Sequence, residues 1–358
     1  MKSIAENERT ASENEMEALA AASPHLQFWY LLKAMRPRQW TKNLLVFAGL
    51  VFAQRTLDVG ALGRAIGAFV VFCLLASMIY LINDLGDLQS DRQHPTKRFR
   101  PLASGKLMPP VAVAGAVMLG VLATVVTVAL VIWPEAAGPA QIVHISLAPF
   151  QLMVTTGQPP VSGNPYGVLG TLGGGQVLFP AVAAAYVALN LAYTFRLKHV
   201  VIIDVFCVAG CYVLRVMAGA FVIPVPISPW LYLCAILLSL FLALGKRRQE
   251  LVLLEAGASL HRRILQEYST PLLDQMIMIV TSATVMAYSL YTFQGTTGNH
   301  RLMLTIPFVL YGIFRYLYLI YMKQEGGSPD EVLLRDKHIL GTVALCVLTT
   351  LALLYLSF

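Results

Sequence analysis

Between Leu81 and Gly105 the chain reads LINDLGDLQSDRQHPTKRFRPLASG, a short stretch in which acids and bases are crowded together at the end of an apolar run. Asn83, Asp84, Asp87 and Asp91 are spaced i, i+1, i+4 and i+8, so a continuous helix would carry them on one face. Carboxylates that close repel one another unless a cation sits among them, and the C-terminal end of a helix favours a cation further. An all-oxygen set without His or Cys suits Mg²⁺, which keeps waters and completes its shell from substrate phosphates. The spacing therefore assigns Asp84, Asp87 and Asp91 as metal ligands, Asp84 and Asp87 as catalytic through that ion, and Asn83 as a substrate contact. A solvated acidic helix end would account for one or two of these aspartates, but poorly for the whole ladder.

The bases that follow fit the same chemistry. Lys97, Arg98 and Arg100 lie between Pro95 and Pro101, and prolines there stop a helix and hold the loop extended. A guanidinium grips phosphate through two parallel bonds and an ammonium acts as a point charge, so all three read as phosphate contacts. A basic loop at the inner face of a membrane is the competing explanation. A second polar segment, YTFRLKHVVIID at Tyr193–Asp204, offers Tyr193 as a substrate contact and Lys198 and Asp204 as catalytic groups. It continues into VFCVAGCYVLRVMAGA, which sets Arg215 inside an apolar helix, where an arginine marks a functional site or an internal pair. Asp204 is open to several roles: partner of Arg215 or Lys198, metal ligand, or ribose ligand. A third cluster, ALGKRRQELVLL, supplies Lys246 and Arg247, with Tyr268 further on and Lys42 near the start as additional substrate contacts. Three adjacent bases at a membrane exit also serve as topology anchors.

A scaffold of membrane helices must hold these groups. Of 358 residues, 57% are hydrophobic and 13% charged, against about 25% charged in an ordinary soluble domain, and the mean hydropathy is +0.67. Apolar windows of bilayer length, about 20 residues, fall near 41–58, 63–82, 111–133, 176–196, 200–222, 229–245, 273–294, 302–322 and 338–357. They predict an all-α polytopic bundle of about nine spans, or eight, because the first and sixth windows are short or closely flanked by charge. Lysine and arginine crowd alternate loops, and only Arg55, Arg64 and Arg301 fall on the others. That bias puts the N-terminus in the cytosol and the polar motifs on the cytosolic face of the cell (inner) membrane. The net charge of +7 then belongs to that face, and nucleic-acid binding is not needed to explain it.

Residues 1–32, acidic at Glu6, Glu8, Glu13, Glu15 and Glu17 and without the apolar core of a signal peptide, are expected to form a mobile cytosolic tail, with 33–358 as the membrane domain. Residues 134–176 are read as a Gly- and Pro-rich extracytosolic insertion, whose middle, VHISLAPFQLMV, is apolar enough to lie on the membrane surface, although a tolerated insertion in an exposed loop is the simpler reading. The five cysteines all sit in apolar runs and read as packing residues. The polar residues crowd one face and no internal repeat is visible, which argues against a transporter.

The motifs MRPRQWTKN, NDLGDLQSDRQHPTKRFRPLASG, LKHVVIIDV, LRVMAGA and GKRRQEL together resemble the UbiA-type intramembrane transferases, and within them the phosphoribosyltransferases that act on decaprenyl phosphate. The likeness runs from about Lys33 to the C-terminus, interrupted by the outer loop. It implies a UbiA-like transferase domain that passes a 5-phosphoribosyl group from phosphoribosyl diphosphate to a polyprenyl phosphate, releasing diphosphate, for lipid-linked pentose precursors of the cell envelope. Mg²⁺ is the implied cofactor. The two substrates and membrane lipid are the implied partners, and a homo-oligomer is compatible with the resemblance. The alternative within the same resemblance is prenyl transfer from a prenyl diphosphate to a quinone, chlorin or haem precursor. The basic set of Lys42, Lys97, Arg98, Arg100, Lys198, Arg215, Lys246 and Arg247 is larger than one diphosphate requires, which favours the phosphoribosyl donor. Aromatic prenyltransferases of this type carry a second DxxxD motif where this chain has Asp204 alone, preceded by Lys198. That departure leaves the metal role of Asp204 open.

Overall fold

Val59–Gly86 is a helix of 28 residues, which at 1.5 Å per residue is longer than the roughly 30 Å hydrocarbon core of a bilayer. Eight helical segments of this kind occur among the described residues: Val59–Gly86, Pro109–Ile132, Leu178–Phe195, Ile203–Val222, Pro229–Leu253, Thr270–Phe293, His300–Lys323 and Lys337–Leu354. The protein is a multi-pass integral membrane protein. A computed structural model describes residues 23–94, 97–132, 141–147, 150–156, 174–223, 225, 229–255, 265, 267–294, 300–323, 332 and 335–355. Its elements are α1 (Pro24–Ala34), α2 (Ala48–Phe52), α3 (Val59–Gly86), α4 (Leu88–Gln93), α5 (Pro109–Ile132), β1 (Gln141–Leu147), β2 (Phe150–Thr156), α6 (Gly174–Phe195), α7 (Ile203–Val222), α8 (Pro229–Glu255), α9 (Thr270–Gln294), α10 (Ile306–Tyr318) and α11 (Lys337–Tyr355).

The apolar window at 41–58 is where the count departs from nine. It does not form a single α-helix: Pro37–Phe47 is a 3₁₀ stretch followed by the five-residue α2. Contacts other than an apolar stripe shape this segment. Asn43 is fully buried and its Oδ1 accepts from Arg215 Nε at 2.7 Å. The backbone also lies directly on α7, where a Cβ added to Gly219 would fall 1.8 Å from the Val46 carbonyl oxygen. Small residues at helix contacts in membranes permit such close approach.

The chain divides into two compact units, one comprising Met1–Trp40 with Val70–Val126, the other Thr41–Phe69 with Thr127–Phe358. In the first, Leu31, Ala34 and Met35 from α1 and its end pack with Leu81, Leu102, Leu107 and Ala112. Gln27 ties α1 down, donating from Nε2 to Lys106 O at 2.9 Å and accepting at Oε1 from Met108 N at 3.0 Å. Residues 1–22 of the expected acidic tail lie outside the described residues, and residues 24–32 are part of the packed α1.

In the second unit α8 packs along α9 and α7, and α10 along α11, around a core that includes Phe241, Leu244, Leu273, Ile277, Tyr316 and Ile320. Two of the bases that fall outside the main basic clusters serve the C-terminal end of α7. Arg55 Nη1 donates to Ile223 O at 3.1 Å and Arg64 Nη1 to Val222 O at 3.2 Å, placing cations where the helix dipole is negative. Asp58 sits beside Arg55, and the Ala61 N–H with the guanidinium holds its carboxyl below the usual range. Within the insertion, β1 and β2 pair antiparallel, with Gln141 opposite Thr156 and Leu147 opposite Phe150. Their β-branched content (Ile142, Val143, Ile145, Val154, Thr155, Thr156) favours strand. The rest of the insertion, to Gly173, lies outside the described residues.

Candidate functional site

The acidic motif is not carried on one continuous helix. α3 ends at Gly86, Asp87 occupies the position before α4 with φ −95° and ψ 9° and makes no side-chain capping bond, and Asp91 lies within α4. The break is local: Asp87 N–H still donates to Asn83 O at 2.9 Å and Asp91 N–H to Asp87 O at 2.8 Å. Asp84 and Asp91 are still brought together, by one cation. Arg100 Nη1 donates to Asp84 Oδ1 at 3.1 Å and to Asp91 Oδ2 at 2.6 Å. Lys97 Nζ lies 3.9 Å from Asp91 Oδ1. Both carboxylates are buried, Asp84 at 3% and Asp91 at 2% exposure, while Asn83 and Asp87 are half-buried. Arg98 is exposed and lies over the Phe99 ring.

Sequence reasoning did not single out Arg36, which donates from Nη2 to Asp84 Oδ1 at 2.5 Å and stacks over Tyr80 at 4.8 Å. Arg36 has φ 55°, an uncommon left-handed value for a residue with a side chain. It follows the end of α1 and precedes Pro37, and a following proline disfavours the right-handed helical region. The Arg–Pro pair in MRPRQW was the available signal.

The second cluster is built on α6, α7, α8 and the segment before α9. Asp204 has no exposed surface. Its Oδ2 accepts from Arg247 Nε at 2.6 Å and its Oδ1 from the Tyr268 hydroxyl at 2.7 Å. Arg247, also buried, donates further to Tyr193 OH at 3.1 Å and to the Glu250 carboxylate one turn along α8. The Tyr268 oxygen accepts from Ile202 N at 2.7 Å. Burial, together with the bond to Asp204, pushes the Tyr268 phenol above its ordinary range. Ile202 precedes α7 with φ 69° and ψ −46°, a conformation that costs a β-branched residue on the order of 1–3 kcal/mol. The turn between α6 and α7 carries Arg196, Lys198 and His199, with Lys198 half-buried and the other two exposed.

Arg215 is not paired with Asp204. It donates to Asn43 Oδ1, to Cys211 O at 2.6 Å and to Tyr186 OH at 2.9 Å. Its guanidinium lies 4.8 Å from the centre of the Tyr186 ring and 5.4 Å from that of Tyr212. Asn43 closes the motif MRPRQWTKN beside Lys42, whereas Tyr186 had no signal beyond being a polar group in an apolar run. Lys42 and Lys246 are half-buried in this unit.

For a metal, the first cluster supplies the acidic donors. Among the described residues no three His, Cys, Asp or Glu side chains gather around one point. The donor set that exists is a pair of buried carboxylates, Asp84 and Asp91, already holding one cationic group between them. That fits an ion such as Mg²⁺, which takes one or two carboxylates and completes its shell with phosphates and water.

The UbiA prenyltransferase family model matches residues 43–147. The chain is 32% identical over 332 residues to decaprenyl-phosphate phosphoribosyltransferase of Mycobacterium tuberculosis, covering 89% of this chain and 92% of that one. It is 35% identical over 327 residues to the protein of that name from Corynebacterium glutamicum, covering 88% and 83%. A solved UbiA homologue from Archaeoglobus fulgidus bound to GPP and Mg²⁺ superposes with a TM-score of 0.62 at 16% identity, covering 90% of this chain and 98% of that one. A digeranylgeranylglyceryl phosphate synthase structure superposes with a TM-score of 0.56 at 15% identity, covering 91% and 98%. With a third of its residues shared across nearly nine-tenths of its length, and the helical fold shared as well, the chain belongs to the UbiA prenyltransferase family.

Proposed function

We propose that this protein transfers a 5-phosphoribosyl group from phosphoribosyl diphosphate to a polyprenyl phosphate of decaprenyl type, releasing diphosphate, at the cytosolic face of the cell membrane. The observation that carries the reading is the match to decaprenyl-phosphate phosphoribosyltransferases along almost the whole chain. The product would be a lipid-linked pentose phosphate of use in envelope synthesis.

Asp84 and Asp91 would hold Mg²⁺, with Asp87 at the helix junction as a third proposed ligand. When bound, that ion supplies Lewis-acid neutralisation of the leaving diphosphate. Arg36 and Arg100, set on the same carboxylates, would turn toward the added phosphate charge, and Lys97 and Arg98 would extend the basic surface that orients it. Lys42, Lys198 and Lys246 are proposed contacts for the 5-phosphate and the acceptor phosphate. Asn83 and Tyr193 are proposed contacts for the ribose. The acceptor needs no general base, because a phosphate oxyanion is already nucleophilic. The work of the protein is positioning and charge neutralisation.

The test uses protein purified in detergent with Mg²⁺, phosphoribosyl diphosphate and decaprenyl phosphate. Diphosphate release that requires the lipid phosphate and stops in EDTA is expected. Turnover of geranyl diphosphate with an aromatic acceptor, and none with phosphoribosyl diphosphate, would overturn the reading in favour of prenyl transfer.

A further inference from the structure

The second polar motif of this chain has an aspartate where its resemblance to aromatic prenyltransferases would suggest a metal ligand, and its surroundings argue for another use. Both carboxylate oxygens of Asp204 are taken, one by Arg247 Nε at 2.6 Å and the other by Tyr268 OH at 2.7 Å, and the residue has no exposed surface. Each oxygen keeps a second lone pair, but with no exposed surface a metal ion or a ribose hydroxyl could reach it only by opening the sealed Arg247 pair, and a buried charge left uncompensated is costly. The same carboxylate holds the phenol that accepts the Ile202 N–H at 2.7 Å. Ile202 is the residue with φ 69° at the end of the turn carrying Arg196, Lys198 and His199. A backbone conformation this unfavourable persists only where its surroundings over-determine it, and here they do so through a chain of three bonds, from Arg247 to Asp204, to Tyr268, to Ile202.

We infer that Asp204 and Tyr268 are positioning residues that lock the Ile202 turn and thereby set the placement of the basic segment Arg196–His199 for phosphate, and that Asp204 binds neither metal nor ribose. Arg247 is the buried counter-charge of this lock. Through Tyr193 and Glu250 it joins α6, α7 and α8 at one point. The kinetic part of this inference rests on the function proposed above, and the structural part does not.

The test compares Tyr268→Phe and Asp204→Asn with the unaltered chain in detergent. Tyr268→Phe keeps the ring and removes only the bridging oxygen, so it should fold. Amide exchange in the peptide spanning Leu197–Asp204 should rise at least about tenfold, the size of one lost net hydrogen bond. The KM for phosphoribosyl diphosphate should rise by a similar factor of about ten, with kcat held within about threefold. The Mg²⁺ concentration that half-saturates turnover should stay within about twofold in both variants, because a lost ligand would instead weaken metal affinity by about 10–100-fold. Unchanged exchange in Tyr268→Phe would overturn the lock, and a tenfold weaker Mg²⁺ response in Asp204→Asn would overturn the exclusion of metal. If Asp204→Asn fails to fold, Asp204→Glu takes its place in the Mg²⁺ comparison. If the unaltered chain does not use phosphoribosyl diphosphate, the proposed function fails while the exchange result still decides the lock.

Discussion

The same chemistry, an arginine on an aspartate, appears in this protein at three depths. Arg247 and Asp204 have side-chain exposures of 3% and 0%. Arg36 and Arg100 are 24% and 29% exposed on an Asp84 that is 4% exposed. Arg55 and Asp58 stand at 33% and 32%. Depth decides what each pair can do. A sealed pair cannot exchange partners without stranding a charge in low dielectric, so it holds structure. A buried carboxylate with half-wet cations can release them to water or to phosphate at modest cost, so it is suited to bind and let go. A pair open to solvent contributes little either way.

Predictions that test this ordering run from the sealed pair outward. Arg247→Leu leaves Asp204 buried without its cation and should destabilise the protein by about 3–5 kcal/mol. Thermal unfolding in detergent would show it, and a melting point unchanged from the original would place the pair with the open ones. Changing Asp204 to Leu as well should return most of the loss. Asp84→Ala or Asp87→Ala should do the reverse, lowering turnover by on the order of a hundredfold or more while unfolding is little altered, because Arg36 and Arg100 on Asp84 can rehydrate and Asp87 is only half-buried. Turnover assays with and without added Mg²⁺ check this, and full activity in Asp87→Ala would remove that residue from the ligand set. Arg100→Lys keeps the charge and loses the planar guanidinium whose Nη1 donates to both Asp84 and Asp91. Its expected effect is a donor KM raised by about tenfold with normal folding.

The smallest effect belongs to Asp58. Its carboxyl is held below the usual range by the Ala61 N–H and Arg55, so its stabilising contribution is present above the unfolded pKa of about 4 and is lost as pH falls through the lowered folded value. Asp58→Asn should therefore cost less than about 1 kcal/mol at neutral pH and approach nothing in acid. Melting curves at pH 7 and pH 3 read the difference.

Much of the scaffold was legible in the sequence because a bilayer imposes a local rule. A span needs a run of about 20 apolar residues, and that rule finds α3, α5 and the helices from α6 to α11 without knowledge of their neighbours. It misjudged 41–58, where Asn43 and the close contact of Val46 with Gly219 shape the chain and hydropathy does not. The acids and bases were legible for a different reason: charge at the end of an apolar run is expensive enough to stand out by residue type alone.

The sequence by itself thus determined a helical membrane scaffold, the family, and which charged residues are candidates for chemistry. Only the tertiary structure decided their partners. It divided the aspartate ladder at Asp87, joined Asp84 to Asp91 through Arg100, and gave Asp204 to Arg247, 43 residues away. It gave Arg215 to Asn43, 172 residues away. Periodicity records which face of a helix a residue occupies, and carries no information about which distant helix comes to meet it. Burial then sets the role of each pair, because the cost of exchanging a charge depends on how much water can reach it.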